Sequence, residues 1–167
     1  DSDIFVHGSS NGGANGDKSE PSYGDIDAWL LKLSQNGDVV WDRTFGGING
    51  EYFKAVSFAN DIIMLTIFSY SPASGNRTAP QKGFDDIWMV KLSESGALLD
   101  QFSFGGDASD NPVGTVVFNN NFLVLAMSSS DASFDKDEDA YGFRDFWLFY
   151  IDQYGSLLWQ ETLGGAD

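Results

Sequence analysis

The densest cluster of ligand-type side chains in this chain is Asp135-Lys136-Asp137-Glu138-Asp139. Carboxylates alternating along a loop can converge on one hard cation such as Ca2+, which takes about six to eight oxygens. Asp131 and Asp145 stand close enough in sequence to add two more ligands. The EF-hand pattern is not met, because Ala140 follows Asp139 and no Glu closes the loop at the twelfth position. A solvated acidic loop therefore competes with the calcium reading. Asp17 and Glu20 form a thinner version of the same cluster, while the intervening segment carries Arg77 and Lys82 and no acid before Asp85. A second chemistry is stacking. Tyr23, Tyr70, Phe84 and Tyr141 lie in polar stretches, where exposed rings can contact a sugar or a protein partner.

Covalent catalysis has little material to work with. Gly8-Ser9-Ser10-Asn11-Gly12 spells G-x-S-x-G, but a nucleophile elbow needs a strand-to-helix turn, a histidine and an acid. No helix is predicted after it, His7 is the sole histidine, and there is no cysteine. Nucleophilic catalysis and His- or Cys-based zinc sites are both poorly supported. A carboxylate pair for glycoside hydrolysis needs two acids singled out by context, and no pair stands out. Asn76-Arg77-Thr78 is a glycosylation sequon, relevant only in a eukaryotic source.

The candidate loops, 11–26, 70–85 and 129–144, are evenly spaced because the whole chain repeats. Asp27, Trp29, Leu33, Gly37 and Gly46-Gly47 reappear 59 residues on as Asp86, Trp88, Leu92, Gly96 and Gly105-Gly106. They appear again as Asp145, Trp147, Ile151, Gly155 and Gly164-Gly165. A fixed period of this size means one supersecondary unit that buries its faces against its neighbours. The phases run over about 1–49, 50–108 and 109–167.

Within a unit the pattern predicts four short strands. In the second these are Glu51 to Phe58, Ile62 to Phe68, Ile87 to Leu92 and Ala97 to Phe104. In the third they are Val113 to Phe118, Phe122 to Met127, Phe146 to Ile151 and Leu157 to Leu163. Asn60-Asp61, Ser93 to Gly96 and Gln153 to Gly155 carry turn chemistry. Apolar runs such as Ile62-Ile63-Met64-Leu65 suit strands covered on both faces, and no segment holds a helical period. The expectation is an all-β chain of β-propeller blades, each of four antiparallel strands, stacked face to face. Trp29, Trp88 and Trp147 then serve packing between blades, and Asp27, Asp86 and Asp145 cap the start of each third strand. The first unit lacks the counterpart of Glu51 to Phe58. Three units cannot close a ring, so a larger ring is expected, completed by further blades of the same chain or by a partner copy.

Composition bounds the partners. A net charge of −16 and a pI near 4.1 argue against nucleic acid and anionic membrane surfaces. Cations, basic proteins and neutral glycans remain. No run approaches the roughly 18 apolar residues that a membrane helix needs. Without a signal peptide or initiator Met, the chain reads as a processed product or an excerpt.

The stretch from Asp27 to Gly47, DAWLLKLSQNGDVVWDRTFGG, resembles the repeat of bacterial secreted and cell-surface β-propeller proteins, prominent in Bacteroidetes and often type IX secretion substrates. The loop Gly8-Ser9-Ser10-Asn11 to Gly16-Asp17 resembles them too. That likeness implies an extracellular or surface location and a non-catalytic scaffold or adhesive platform that meets a protein or glycan through its loops. The alternatives are a lectin-like carbohydrate-binding module or, less favoured, a propeller glycoside hydrolase or lyase. Asp100 departs from the pattern where Trp41 and Trp159 stand, and Tyr150 where Lys32 and Lys91 stand. A uniform ligand site in every blade is therefore not expected.

Overall fold

The computed structural model describes residues 3–166. Among them there is no helix, and none long and apolar enough to cross a membrane. Eleven strands form three antiparallel sheets. The first holds β1 (Ile4–Ser10), β2 (Asp27–Leu33) and β3 (Val39–Phe45) in that order. The second holds β4 (Glu51–Ala59), β5 (Ile62–Ser69), β6 (Asp86–Ser93) and β7 (Leu98–Phe104), also in chain order. The third repeats this with β8 (Asp110–Phe118), β9 (Asn121–Ser128), β10 (Asp145–Ile151) and β11 (Leu157–Leu163).

The turns follow from their residues. Asn60 and Asp61, at φ 49° and 60°, and Asn119 and Asn120, at φ 48° and 62°, are two-residue turns with both centres left-handed. Such turns match the twist of the strands they join, and Asn and Asp tolerate that conformation best after Gly. Several strands begin a residue earlier than their sequence suggests, and β8 begins three residues earlier. β8 starts at Asp110 rather than Val113, because Pro112 sits on an edge strand at a bulge between Pro112 and Gly114. A proline there removes no ladder hydrogen bond that an edge strand needs. Phe53 occupies the same phase at the matching bulge in β4.

Packing is sheet against sheet. Alternate residues of a strand point to opposite faces, and the middle sheet uses both. Ile63, Leu65, Ile67, Trp88, Val90 and Leu92 meet Ala28, Leu30 and Phe45 of the first sheet. Met64, Ile87, Met89 and Phe104 meet Phe122, Val124, Trp147 and Phe149 of the third. All eight residues of β5 are consequently buried. Trp88 and Trp147 are 0% exposed, as their packing role requires. Burying each such side chain contributes roughly 1.5–3 kcal/mol.

The repeated Gly-Gly pairs sit where consecutive units touch. A Cβ on Gly46 or Gly105 would run into Asp27 or Asp86 of the same sheet. A Cβ on Gly47 or Gly106 would collide with Ser71 or Ser130 in the loop of the next unit. Replacing Gly47 or Gly106 by Ala should therefore destabilise the protein by about 1–3 kcal/mol through overpacking. Gly165→Ala, with nothing within 4 Å of its Cβ position, should change stability by less than about 0.5 kcal/mol. Denaturant midpoints of the three variants check this.

Candidate functional site

Each long loop joins the second strand of its unit to the third, so all three leave the sheets at the same end. Each is closed by the aspartate that opens the third strand. Asp27 accepts from the Tyr23 N–H, Asp86 from the N–H groups of Lys82 (2.8 Å) and Gly83 (3.2 Å), and Asp145 from those of Tyr141 (2.6 Å) and Gly142 (3.2 Å). These are the expected caps. The loops also lock onto the preceding unit. Asn76 accepts from the Gly46 N–H (2.9 Å) and donates to the Thr44 carbonyl (2.8 Å), and Asp135 at the same phase accepts from the Gly105 N–H (3.1 Å).

A buried cation fills each loop at one phase: Lys18, Arg77 and Lys136. Lys18 donates to Thr44 Oγ1 (2.7 Å) and the Glu20 carbonyl (2.5 Å). Lys136 donates to the Glu138 carbonyl. Glu20 and Glu138 in turn accept from the N–H groups of Thr44 (2.8 Å) and Thr162 (2.7 Å). The middle unit has Ala79 where the others have Glu. There the longer, forked Arg77 takes over. It reaches Ser69, the Ser71 carbonyl (2.5 Å), Ser103 Oγ (3.2 Å) and Asp86 (3.5 Å). A guanidinium can satisfy that many acceptors from one position, whereas an ammonium cannot.

A second recurrent set holds the tryptophans. The indole N–H groups of Trp29, Trp88 and Trp147 donate to Asp42 (2.9 Å), Gln101 (3.1 Å) and Gln160 (2.8 Å). Neither set was singled out by the sequence reading. Both recur at the 59-residue spacing, but Lys alternates with Arg and Asp with Gln, so matching identical residues passes over them.

The acidic cluster does not converge. Asp135 turns to the middle unit and pairs with Lys82. Asp139 accepts from the Ala132 N–H (3.1 Å) and Asp131 from the Ala140 N–H (3.2 Å), so these two close the loop on itself. Asp145 is the cap already described, and Asp137 has no contact with them. Among the described residues no group of three His, Cys, Asp or Glu side chains is placed to hold a metal ion. The positive charge inside the loop is Lys136, which feels Asp110, Glu138, Asp145 and Asp131. Burial lowers its pKa against their pull.

The aromatic candidates divide. Phe84, Tyr141 and Tyr23 are exposed. Tyr70 instead packs against Phe68 and Tyr52, with centroids 4.8 and 6.0 Å away. Two further exposed rings, Phe134 and Phe143, lie in the third loop. Phe143 repeats the phase of Phe84, a signal that sequence alone carries. Phe134 occupies the phase of Gly16 and Gly75, and shares their left-handed backbone at φ 48°. The loops bearing Phe84 and Phe134 both dock on Gly105–Ala108: Phe84 N–H donates to the Ala108 carbonyl (3.0 Å) and Asp135 N–H to that of Gly105 (3.3 Å). A separate cleft of about 400 Å3 lies at the opposite end, lined by Phe5, Phe58 and Ile62 with the Lys32–Asp3 ion pair (2.9 Å). Compared with known proteins, the chain matches no family model and no curated sequence.

Two outcomes test the buried network. Removing Arg77 leaves Asp86 and Glu51 buried without their cation, so Arg77→Ala should cost about 3–5 kcal/mol. Arg77→Lys should also destabilise, and adding Ala79→Glu should recover much of the loss by restoring the Lys–Glu arrangement of the outer units. Urea unfolding of the single and double variants reads this directly.

The second outcome is a pH dependence. Burial raises the carboxyl pKa of Asp27, Glu51, Asp85 and Asp110. Between the ordinary carboxylate value, about 4, and their raised folded values, the folded protein binds more protons than the unfolded chain. Stability therefore increases as pH falls through that interval. His7, whose pKa burial lowers, opposes this with one group. Asp42 is also raised by burial, but hydrogen bonds from Ser19 and Trp29 outweigh that and leave it low, so its loss comes only at more acid pH. The melting temperature should rise from pH ~7.5 to ~5, and less so in Glu51→Gln/Asp110→Asn.

Proposed function

We propose that the three sheets are consecutive propeller blades and that their long-loop end is a non-catalytic binding surface of an extracellular or cell-surface protein. The observation that carries this reading is how the loops divide their side chains. The charged and amide groups that recur at loop phases, Lys18, Arg77, Lys136, Asp27, Asp86, Asp145, Asn76 and Asp135, are taken up in holding loops and units together. Beside exposed acids such as Asp17, Asp131, Asp137 and Asp139, the loops present rings outward: Phe84, Phe134, Tyr141 and Phe143 are 73%, 68%, 58% and 78% exposed. Exposed rings carried by a rigid scaffold favour a contact surface.

Phe134 adds weight. Its ring is solvent-exposed, and its left-handed backbone is costly for a bulky residue, on the order of 1–2 kcal/mol. Glycine takes the same conformation in the other two units, so the fold gains nothing from phenylalanine here.

A protein partner is the first reading and a neutral glycan the second, favoured by the sugar-stacking chemistry of the same rings. A glycan array with a parallel assay for product release from polysaccharides separates them. Selective glycan retention without turnover establishes the lectin reading, and product release lost on mutating one loop aspartate ends the non-catalytic one. With the ligand found by that array or by partner screening, Phe84→Ala and Tyr141→Ala should each weaken binding about threefold to tenfold. Phe134→Gly should weaken binding while raising the unfolding midpoint. Unchanged affinity in all three variants would refute the aromatic surface.

A further inference from the structure

Both outer sheets leave one apolar face only partly covered, with Leu31 buried but Ile4, Val6, Phe146 and Leu163 exposed, and the repeat states what each face is built to meet. At the first junction, Phe5, Ala28, Leu30 and Phe45 pack on Ile63, Leu65, Trp88 and Val90. At the second, Met64, Ile87, Met89 and Phe104, the same four phases one unit on, pack on Phe122, Val124, Trp147 and Phe149. Advancing the first set once more gives Leu123, Phe146, Leu148 and Leu163 on the third sheet. Moving the second set one unit back gives Ile4, Val6, Trp29 and Leu31 on the first sheet. All eight are apolar. Strand pairing puts each set on one face: Phe146 lies opposite Met127 and Leu163, Leu148 opposite Leu125, and Tyr150 opposite Leu123, while Val6 lies opposite Leu31 and Gly8 opposite Trp29. Phe146, Leu163, Ile4 and Val6 are 50%, 49%, 45% and 44% exposed.

The geometry points to a second copy of this chain as the occupant, docked head to tail, with the third sheet of one copy covering the first sheet of the next. The polar rim supports the same register. At both internal junctions a Gly N–H, of Gly46 or Gly105, donates to residue 76 or 135 of the next loop, while that residue's own N–H donates back to the glycine carbonyl (3.1 and 3.3 Å). The corresponding groups here are Gly164 on one copy and the exposed Asp17 on the other, which follows Gly16 at φ 60° just as Asn76 follows Gly75 at φ 59°. The two faces differ, so the contact is heterologous and each copy retains one free face for the next.

This inference shares with the propeller reading only the side-by-side stacking that two junctions display. It does not need a closed ring or any ligand. Sedimentation of the 18.2 kDa chain across micromolar concentrations should show mass rising above the monomer. A finite plateau favours a ring and continued growth disfavours one, and either supports the head-to-tail contact. Val6→Glu and Phe146→Glu, both on exposed sites, should each reduce self-association to at most a trace while melting as the wild-type chain does at concentrations too low for association. An equimolar mixture of the two should form a heterodimer, because each variant keeps the face the other lacks. A wild-type chain that stays monomeric throughout, a Phe146→Glu variant that still associates, or a mixture that stays monomeric would overturn the proposal.

Discussion

Coverage of both faces of the middle sheet is the constraint from which the rest follows. A strand such as β5, buried along its whole length, can exist only if neighbours shield it above and below. That demand fixes the apolar pattern of Ile62 to Phe68 and sets the separation of the sheets through Trp88 and Trp147. It also makes each unit dependent on the next. No single sheet here has a core of its own, since both apolar clusters are shared between sheets.

Close stacking creates a problem at the sheet ends, where backbone groups and loops are forced together. The chain solves it with two devices. Glycine pairs let the fourth strand pass beneath the neighbouring loop, where any Cβ would collide with Ser71 or Ser130. Buried cations then compensate the carboxylates that must be near the same spot. Glu51, for instance, accepts from Gly47 N–H and Ser69 while Arg77 supplies the opposing charge close by. A buried ion pair of this kind contributes little net stability, because desolvation offsets its attraction, but breaking it is costly. Its effect is to tie the loop 70–85 to its own sheet, since Ser69, Asp86 and Ser103 all belong to the middle unit.

Much of this was legible in the sequence because the responsible residues keep their identity from unit to unit. Trp88 and Trp147, the capping aspartates and the Gly-Gly pairs are the same residue types at the same phase, and their packing roles could be read from that, whereas Trp29 keeps the phase but is half-buried and packs in neither core cluster. The loop boundaries 11–26, 70–85 and 129–144 matched the strands for the same reason. The buried cations and the indole acceptors escaped notice because the role is constant while the residue is not. Lys18 with Glu20 does the work of Arg77 with Ala79, and Asp42 the work of Gln101. Proximity in sequence does not carry over into one cluster here. Asp131 to Asp139 looks like a ligand set, yet the turn containing Phe134 sends Asp135 toward Lys82 and leaves Asp131 and Asp139 bonding to backbone N–H groups on facing sides of the loop.

The same comparison of units separates architecture from recognition. Positions that hold loops and units together keep their role while the residue changes: Lys18, Arg77 and Lys136 each fill their loop, and Asn76 and Asp135 each accept from a glycine N–H. Positions exposed at the loop end vary without such restraint: Asp25, Phe84 and Phe143 share a phase, as do Gly16, Gly75 and Phe134. A surface assembled from such positions is aperiodic even though its scaffold is periodic. On the proposed binding reading, a ligand would meet a patch spanning neighbouring units, centred where the second and third loops meet over Gly105–Ala108, rather than three equivalent sites. An asymmetric patch can distinguish one orientation of a partner from another, which three identical sites could not.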